Sequence, residues 1–256
     1  AVGGSSERKL NQSSGRSWLR IAAAIVLILG AGAVFFYYAN QSSVLTVQTA
    51  MQTKEVTLPD GSRVSLNQNS SLSYPEKFGE AREVTLQGEA FFDVERDPQK
   101  PFIIHAGEAQ VEVLGTSFNV RAYPQQQKIE VVVATGSVKL SVPPLNKEVK
   151  LNPGDRGVYA VSSSEVTAAT NENANFLSWK TRRIVFEESD LKTVVETLNA
   201  VYGANISVAV DVPSTCAVTV TFDNQLLDAV LNVLENTLGL TYRRTGNRIE
   251  IVKVGC

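Results

Sequence analysis

The stretch REVTLQGEAFFDVERDPQKPF at residues 82–102 indicates which kind of fold the chain adopts. Its first part alternates polar and apolar residues, which is the period of a β-strand with one buried face. Gly88 interrupts the alternation and predicts a β-bulge. Similar short runs recur over residues 44–161, separated by turn signals, and no apolar pattern of helical period occurs among them. We therefore expect an all-β lobe over residues 44–161, and the spacing leaves open a sandwich, a barrel or an irregular solenoid.

A second, smaller domain is predicted after this lobe. Residues 162–178 are rich in Ser, Thr, Ala and Asn, as is typical of an exposed linker. Within residues 179–256, an offset of 36 brings the apolar positions of two segments into coincidence, so we expect two copies of one strand–helix–strand unit. The coinciding pairs include Phe186 and Phe222, Leu191 and Leu227, Val194 and Val230, and Leu198 and Leu234.

The predicted fold class is therefore mainly β, with an all-β lobe followed by a βαββαββ domain in which two helices lie on a sheet. Ser189 and either Asp223 or Asn224 are the expected helix N-caps, and Gly203 and Gly239 the expected helix ends. Such a sheet has open edges, which can accept a strand from a partner.

An uncharged stretch, IAAAIVLILGAGAVFFYYA, extends from Ile21 to Ala39. As a helix it would be about 28 Å long, close to the roughly 30 Å hydrocarbon thickness of a bilayer. We therefore expect one transmembrane helix over residues 18–40. Basic residues are concentrated before it, so the positive-inside rule places the N-terminus in the cytoplasm and the later domains in the periplasm. A cleaved signal peptide ending at the tripeptide of residues 31–33 is the alternative.

Residues 1–17 are interpreted as a cytoplasmic linker. Because the sequence begins with Ala1 rather than Met, we expect it to be a piece of a longer protein whose upstream part contains a further cytoplasmic domain.

Composition and motifs argue against several classes of protein. A net charge of −2 argues against a nucleic-acid partner. The sequence contains no phosphate loop, dinucleotide fingerprint or zinc signature, so we expect no cofactor, no metal and no ordinary enzyme activity. The sole histidine, His105, falls in a predicted strand and is interpreted as structural. Cys216 and Cys256 lack metal-ligand spacing and leave open a single disulfide bond in an oxidising compartment.

Two short segments carry reactive side chains. Glu89, Asp93 and Glu95 are close in sequence, but a strand sends successive residues to opposite faces, so we interpret them as solvated. In Gly115-Thr116 a hydroxyl follows a flexible glycine, and attack of that hydroxyl on the Gly115 carbonyl would cleave the chain by an N-to-O acyl shift. A simple glycine turn between two strands is the alternative.

Four motifs occur in the order and spacing of a known family. They are LPDGSRVSLNQNSSLSYP at 58–75, REVTLQGEAFFDVERDPQKPF at 82–102, VEVLGTSFNVRAY at 111–123 and VVVATGSVKL at 131–140. Together they resemble the periplasmic region of FecR-type sigma-factor regulators. Residues 176–254 are similar to the C-terminal domain of FecR-like proteins of Bacteroidetes, which in turn resembles the short secretin and TonB signalling domain.

The resemblance implies an anti-sigma factor that works as a transmembrane relay. In this family the signalling domain of a TonB-dependent outer-membrane transporter contacts the regulator in the periplasm. The message then passes to an extracytoplasmic-function sigma factor held by the cytoplasmic N-terminal domain, which these residues do not include. Family members are typically processed by an intramembrane protease, and some cleave themselves at a Gly-Thr bond that corresponds to Gly115-Thr116.

Two hypotheses of different classes follow. In the first, the C-terminal domain docks the transporter's signalling domain, with Arg243, Arg244 and Arg248 on the last hairpin steering an acidic partner; a solvated hairpin face is the alternative role for these arginines. In the second, the chain is a membrane-anchored module whose β lobe binds glycan or envelope polymer. The aromatic residues that would stack on sugars, or else fill the core, are Tyr74, Phe91, Phe92 and Tyr123.

Overall fold

The computed structural model describes residues 21–32, 43–210, 212–213 and 216–256. The chain divides into two units, residues 1–43 and 44–256. In the first unit, residues 21–32 form helix α1, in which the side chain of Ile21 is exposed. The rest of the predicted span of residues 18–40, Ala39 included, lies outside the described residues. Among the described helices, none combines the length and the hydropathy that a membrane crossing requires.

Thirteen strands of the second unit form one continuous sheet. They are β1 (Val44–Gln48), β2 (Lys54–Thr57), β3 (Arg63–Leu66), β4 (Ser71–Pro75), β5 (Arg82–Asp93), β6 (Phe102–Ala106), β7 (Ala109–Val113), β8 (Ser117–Ala122), β9 (Lys128–Thr135), β10 (Val138–Val142), β11 (Lys147–Leu151), β12 (Asp155–Ala160) and β13 (Glu165–Thr170). The order along the sheet is β11-β10-β7-β6-β5-β8-β9-β12-β13, with β1 to β4 attached beside β5.

The long strand β5 belongs to both halves of this sheet. Its residues before Gly88 pair with β4 and with β6, and its residues from Gly88 onward pair with β3 and β8. Gly88 has φ +100°, and a Cβ at this position would lie 2.7 Å from the Cα of Ser70. The predicted bulge is therefore a bend, at which one strand passes from one half of the sheet into the other.

The two halves face each other across a single apolar core. The rings of Phe92 in one half and Phe102 in the other meet edge to face at 6.2 Å. Gly157 of β12 packs closely on the opposite half, since a Cβ there would lie 2.6 Å from a methyl carbon of Leu151 in β11. The lobe is thus a sandwich made by one bent sheet, which resolves the closure that the spacing left open.

Strand β13 lies within the residues predicted to be a linker, 162–178. It pairs antiparallel with β12, so the β lobe continues to Thr170. The sequence Glu165–Thr170 has no apolar alternation because five of its six residues are exposed in this edge strand. A strand without a buried face leaves no periodic signal to predict it from.

The smaller domain has the predicted βαββαββ order after a short helix. Its elements are α2 (Ser178–Thr181), β14 (Arg183–Asp190), α3 (Leu191–Tyr202), β15 (Asn205–Val208), β16 (Ala217–Asp223), α4 (Leu227–Leu238), β17 (Thr241–Thr245) and β18 (Arg248–Lys253). The strands form two sheets, β14-β16 and β15-β18-β17, rather than the expected one. Both helices and both sheets contribute to one apolar cluster.

The helix ends follow the sequence signals only in part. Gly203 and Gly239 end α3 and α4 in the left-handed conformation, as predicted. The N-cap of α3 is Asp190 rather than Ser189, and its carboxylate accepts a hydrogen bond from the Thr193 amide at 2.7 Å. Helix α4 begins after Leu226, which provides no side-chain cap, so neither of the two predicted caps is used.

A disulfide bond joins Cys216 and Cys256, with a Cα–Cα distance of 5.4 Å. Cys216 is buried and immediately precedes β16, and Cys256 lies beyond β18. The bond therefore ties the end of the chain to a strand of the other sheet, and it settles the pairing that the cysteine count left open.

Candidate functional sites

The Gly115-Thr116 bond lies in the turn between β7 and β8, next to the segment that follows β5. The Val94 amide donates to the Thr116 carbonyl at 3.1 Å, and the Asp97 amide donates to the Leu114 carbonyl at 2.8 Å. Gly115 has φ +152°, and a Cβ there would lie 2.5 Å from the Cα of Arg96. Only glycine fits this close backbone approach.

The Thr116 hydroxyl and the Gly115 carbonyl oxygen lie on the same side of the turn. The Thr116 hydroxyl donates to the Ser137 carbonyl at 3.1 Å. A Cβ on Gly136 would lie 2.7 Å from Thr116 Oγ1 and 3.0 Å from the Gly115 carbonyl oxygen, so both oxygens face the same point. Thr116 itself is buried, beside an open groove of about 590 Å³.

Two carboxylates, Glu112 and Glu148, line the groove, but the Thr116 hydroxyl donates to a backbone carbonyl. Glu112 and Lys139, both lining the groove, form an ion pair. The hydrogen bond that Lys139 donates to the Glu112 carboxylate raises the pKa of Lys139, which keeps its amine protonated. A backbone carbonyl is not a general base, so an acyl shift at this bond would depend on the conformation of the turn alone. The same contacts also fit a structural glycine turn.

The three predicted docking arginines lie on the β17–β18 hairpin and are exposed. Arg244 is paired with Asp228 of α4 at 2.5 Å, and Arg248 contacts Glu250 at 3.4 Å. Arg243 makes no ion pair with any described residue. The three arginines thus lie on one hairpin but not on one face, because Arg244 lies on the face that contacts α4 and Arg243 on the opposite one. Arg243 is the one of the three without an ion pair to a described residue.

Two strand edges of the small domain are closed by asparagine side chains. The Asn175 amide accepts from the Val185 N–H at 2.8 Å and donates to the Val185 carbonyl at 2.7 Å, on β14. Asn199 of α3 does the same for Ile206 on β15, at 2.8 Å and 2.9 Å. Each amide occupies the groups that a neighbouring strand would otherwise pair with. No pattern in the sequence predicts these contacts.

The aromatic residues of the glycan-binding hypothesis are not free to stack on a sugar. Tyr74 and Phe92 are buried in the core. The ammonium of Lys180 lies 5.4 Å from the centre of the Phe91 ring, and the Tyr123 hydroxyl donates to the Gln68 carbonyl at 2.9 Å. These contacts favour the structural role that the sequence left as the alternative.

The interpretation of Glu89 as solvated is wrong. Its carboxylate is buried and accepts hydrogen bonds from the side-chain amides of Asn67 and Asn119, both at 2.9 Å. Burial raises the pKa of Glu89, an effect that Arg121 and the two amides oppose. Glu89 lies on the face of β5 opposite the core residues Ala90 and Phe92, and it is buried there with the two asparagines that bind its carboxylate.

Asp93 and Glu95 do not converge with Glu89. The Asp93 carboxylate accepts from Arg63 at 2.6 Å and from the Ser117 hydroxyl at 2.8 Å, which lowers its pKa. His105 is half-buried on β6, where its Nε2 lies 3.1 Å from Glu83. Within the part of the chain that the structure describes, no group of His, Cys, Asp or Glu side chains is placed to hold a metal ion.

Comparison with known proteins agrees with this two-domain architecture. Residues 45–139 match the family model described as FecR protein, and residues 183–251 match the one described as FecR, C-terminal. Two crystal structures of a candidate anti-sigma factor from Parabacteroides distasonis ATCC 8503, at 2.50 Å and 1.65 Å resolution, are similar to the chain. Both have 31% sequence identity and a TM-score of 0.66, and the similarity covers 83% and 82% of this chain and 100% of those chains. No curated protein is significantly similar to the chain.

A mainly β lobe followed by a small α+β domain, together with these matches, defines a regulatory protein. The chain belongs to the FecR family and is a sigma-factor regulator of the anti-sigma factor type, as the sequence motifs predicted.

Proposed function

We propose that the chain is a single-pass inner-membrane signal transducer that regulates an extracytoplasmic-function sigma factor. Residues 44–256 lie in the periplasm, where they receive a signal from the signalling domain of a TonB-dependent outer-membrane transporter. A cytoplasmic N-terminal domain holds the sigma factor, and an intramembrane protease acts on residues 18–40.

The observation that carries this proposal is that the small C-terminal domain has open strand edges. Two of its edge strands, β16 and β17, make no backbone pairing on their outer side with any described residue. Strands of this kind are where one folded domain can join the sheet of another. A regulator that receives its signal by docking needs such a surface.

Two further features support the compartment and the anchor. The bond between Cys216 and Cys256 is of the kind that persists in oxidising compartments such as the periplasm. The uncharged stretch from Ile21 to Ala39 has the length of a bilayer span, with basic residues concentrated on its N-terminal side.

Labelling of engineered cysteines tests the membrane topology. Glu80→Cys places a thiol at an exposed position of the β lobe, and Ser6→Cys places one before the span. In intact spheroplasts of cells that express the full chain, a membrane-impermeant maleimide should label the first variant and should label the second only after lysis. Equal labelling of both, or the reverse pattern, would contradict the proposed orientation.

Binding tests the transporter as a partner. The purified full chain, held in detergent, should bind the purified signalling domain of the TonB-dependent transporter encoded beside it. The signalling domain of an unrelated transporter serves as the control. If neither domain binds, the docking role is wrong.

Self-cleavage forms part of the proposal. Thr116 Oγ attacks the Gly115 carbonyl carbon, the C–N bond breaks as the ester forms, and the hydroxyl proton passes to the new amine. Water then hydrolyses the ester, which leaves a Gly115 carboxylate and a Thr116 amino terminus. Intact mass of the purified protein should show two fragments for the wild type and for Thr116→Ser, and one chain for Thr116→Ala. If the wild-type protein remains a single uncleaved chain, the proposed self-cleavage is wrong.

A further inference from the structure

The small domain has four outer strand edges, and they are not equivalent. Strands β14 and β16 are the edges of one sheet, and β15 and β17 are the edges of the other. Asn175 closes β14 at Val185, and Asn199 closes β15 at Ile206. A partner strand would have to displace a complete pair of hydrogen bonds to join either of them. Strand addition is therefore restricted to β16 and β17.

The direction of the peptide groups on β17 follows from its neighbours. The Ala209 amide donates to the Ile251 carbonyl, so Ile251 of β18 turns its peptide groups toward β15. Peptide groups point to alternate sides along a strand, so the N–H and C=O of Glu250 point toward β17. Arg243 is the register partner of Glu250, so the N–H and C=O of Arg243 point toward β18. Tyr242 and Arg244 flank Arg243 along β17. Their N–H and C=O groups therefore point outward, away from β18.

The two open edges differ in charge. Strand β16 contains Thr219 and Thr221 and ends at Asp223, whereas β17 contains Arg243 and Arg244. Arg243 is exposed and lies beyond ion-pair distance of every described carboxylate. A second copy of β17 placed against this edge would bring arginines of like charge together, which disfavours self-pairing.

We infer that the outer edge of β17 is the docking edge of this domain, and that its occupant is an extended, acidic segment of the partner. The segment pairs with the peptide groups of Tyr242 and Arg244, and its carboxylates contact Arg243. This inference rests on the proposed docking of the transporter's signalling domain and names the edge at which it occurs.

Amide hydrogen exchange at single-residue resolution tests the inference on the full chain. In the free protein, the Tyr242 and Arg244 amides should exchange quickly, while the Val185 and Ile206 amides are protected by asparagine. On addition of the transporter's signalling domain, Tyr242 and Arg244 should become protected. Side-chain contact without strand pairing would not protect these amides.

Charge reversal provides a second readout. Arg243→Glu should weaken binding of the signalling domain by about tenfold or more, because it removes one attraction and adds one repulsion. Arg183→Glu, the same change on the closed edge strand β14, is the matched control and should leave the affinity within about twofold.

The outcomes separate this inference from the function on which it rests. Binding accompanied by new protection at Thr219 and Thr221, or at Val208, overturns the inference and leaves the docking role intact. Protection of Arg244 that rises with the concentration of the chain alone identifies a second copy as the occupant and overturns the inference as well. Absence of binding overturns both.

Discussion

Loss of the Cys216–Cys256 disulfide should cost the small domain a large part of its stability. The bond joins residues separated by 40 positions. In the chain-entropy model, closing a loop of that length restricts the unfolded chain by about 4 kcal/mol at 25 °C. We therefore expect Cys256→Ser to lower the free energy of unfolding by roughly that amount, because Cys256 is exposed and its replacement leaves no cavity in the core.

Urea unfolding followed by tryptophan fluorescence measures this loss. The chain has two tryptophans, and Trp179 is buried at the start of the small domain. With Trp18 replaced by Phe in every protein, the emission reports on Trp179 alone. A loss of about 4 kcal/mol lowers the urea midpoint by about 2 M if the slope is about 2 kcal/mol per M.

Two controls make the result specific to the bond. Wild-type protein in reductant should unfold together with Cys256→Ser. Cys216→Ser should be less stable than either, by about 1–3 kcal/mol, because it places a hydroxyl in an apolar site that is 1% exposed. Equal urea midpoints for Cys256→Ser and the oxidised wild type would refute the idea that the disulfide bond stabilises the domain by restricting the unfolded chain.

Three further substitutions test the fold. Gly88→Ala should destabilise the β lobe by about 3 kcal/mol or more, because it combines a positive φ with a clash against Ser70; urea unfolding followed by circular dichroism measures this. Burial raises the pKa of Glu89 in the folded state, so the free energy of unfolding of the wild type should fall as pH rises from the unfolded-state pKa through the folded-state pKa. Urea unfolding at pH 4 and at pH 8 measures this loss, which should be much smaller in Glu89→Gln. Asp190→Ala should cost about 1 kcal/mol, measured by Trp179 fluorescence, because the Thr193 amide loses its acceptor.

Each of these substitutions has a matched control. Gly154→Ala also has a positive φ but meets no atom within 4 Å, so equal losses for both glycines would show that the clash at Gly88 is absent. Parallel pH profiles for wild type and Glu89→Gln would contradict a raised pKa at Glu89. Asp190→Asn retains an acceptor and should keep most of the cap.

The parts of the fold that the sequence predicted are those in which burial is periodic. Strand β5 shows this, since its buried residues alternate strictly before Gly88. The repeat at an offset of 36 likewise predicted both helices of the small domain, because each buries a single apolar face. Strand β13 was missed because an exposed strand has no such period.

Other features depended on partners that are distant in sequence. The small domain has two sheets rather than one, but the same residues are buried in either arrangement. The pattern of apolar residues in the sequence therefore could not distinguish one sheet from two. Glu89 is buried because Asn67 and Asn119, more than twenty residues away on either side, provide its hydrogen bonds. The asparagine contacts that close β14 and β15 are likewise individual side-chain contacts without periodicity.

The position of the turn between β7 and β8 determines what a cut there would produce. Strand β7 lies before the Gly115-Thr116 bond and pairs with β10, which lies after it. Strand β5 also lies before the bond and pairs with β8, after it. A nicked chain would therefore stay assembled as a non-covalent complex of two interlocking pieces. Separating them requires the strands to be pulled apart, so mechanical force rather than hydrolysis would release the fragment.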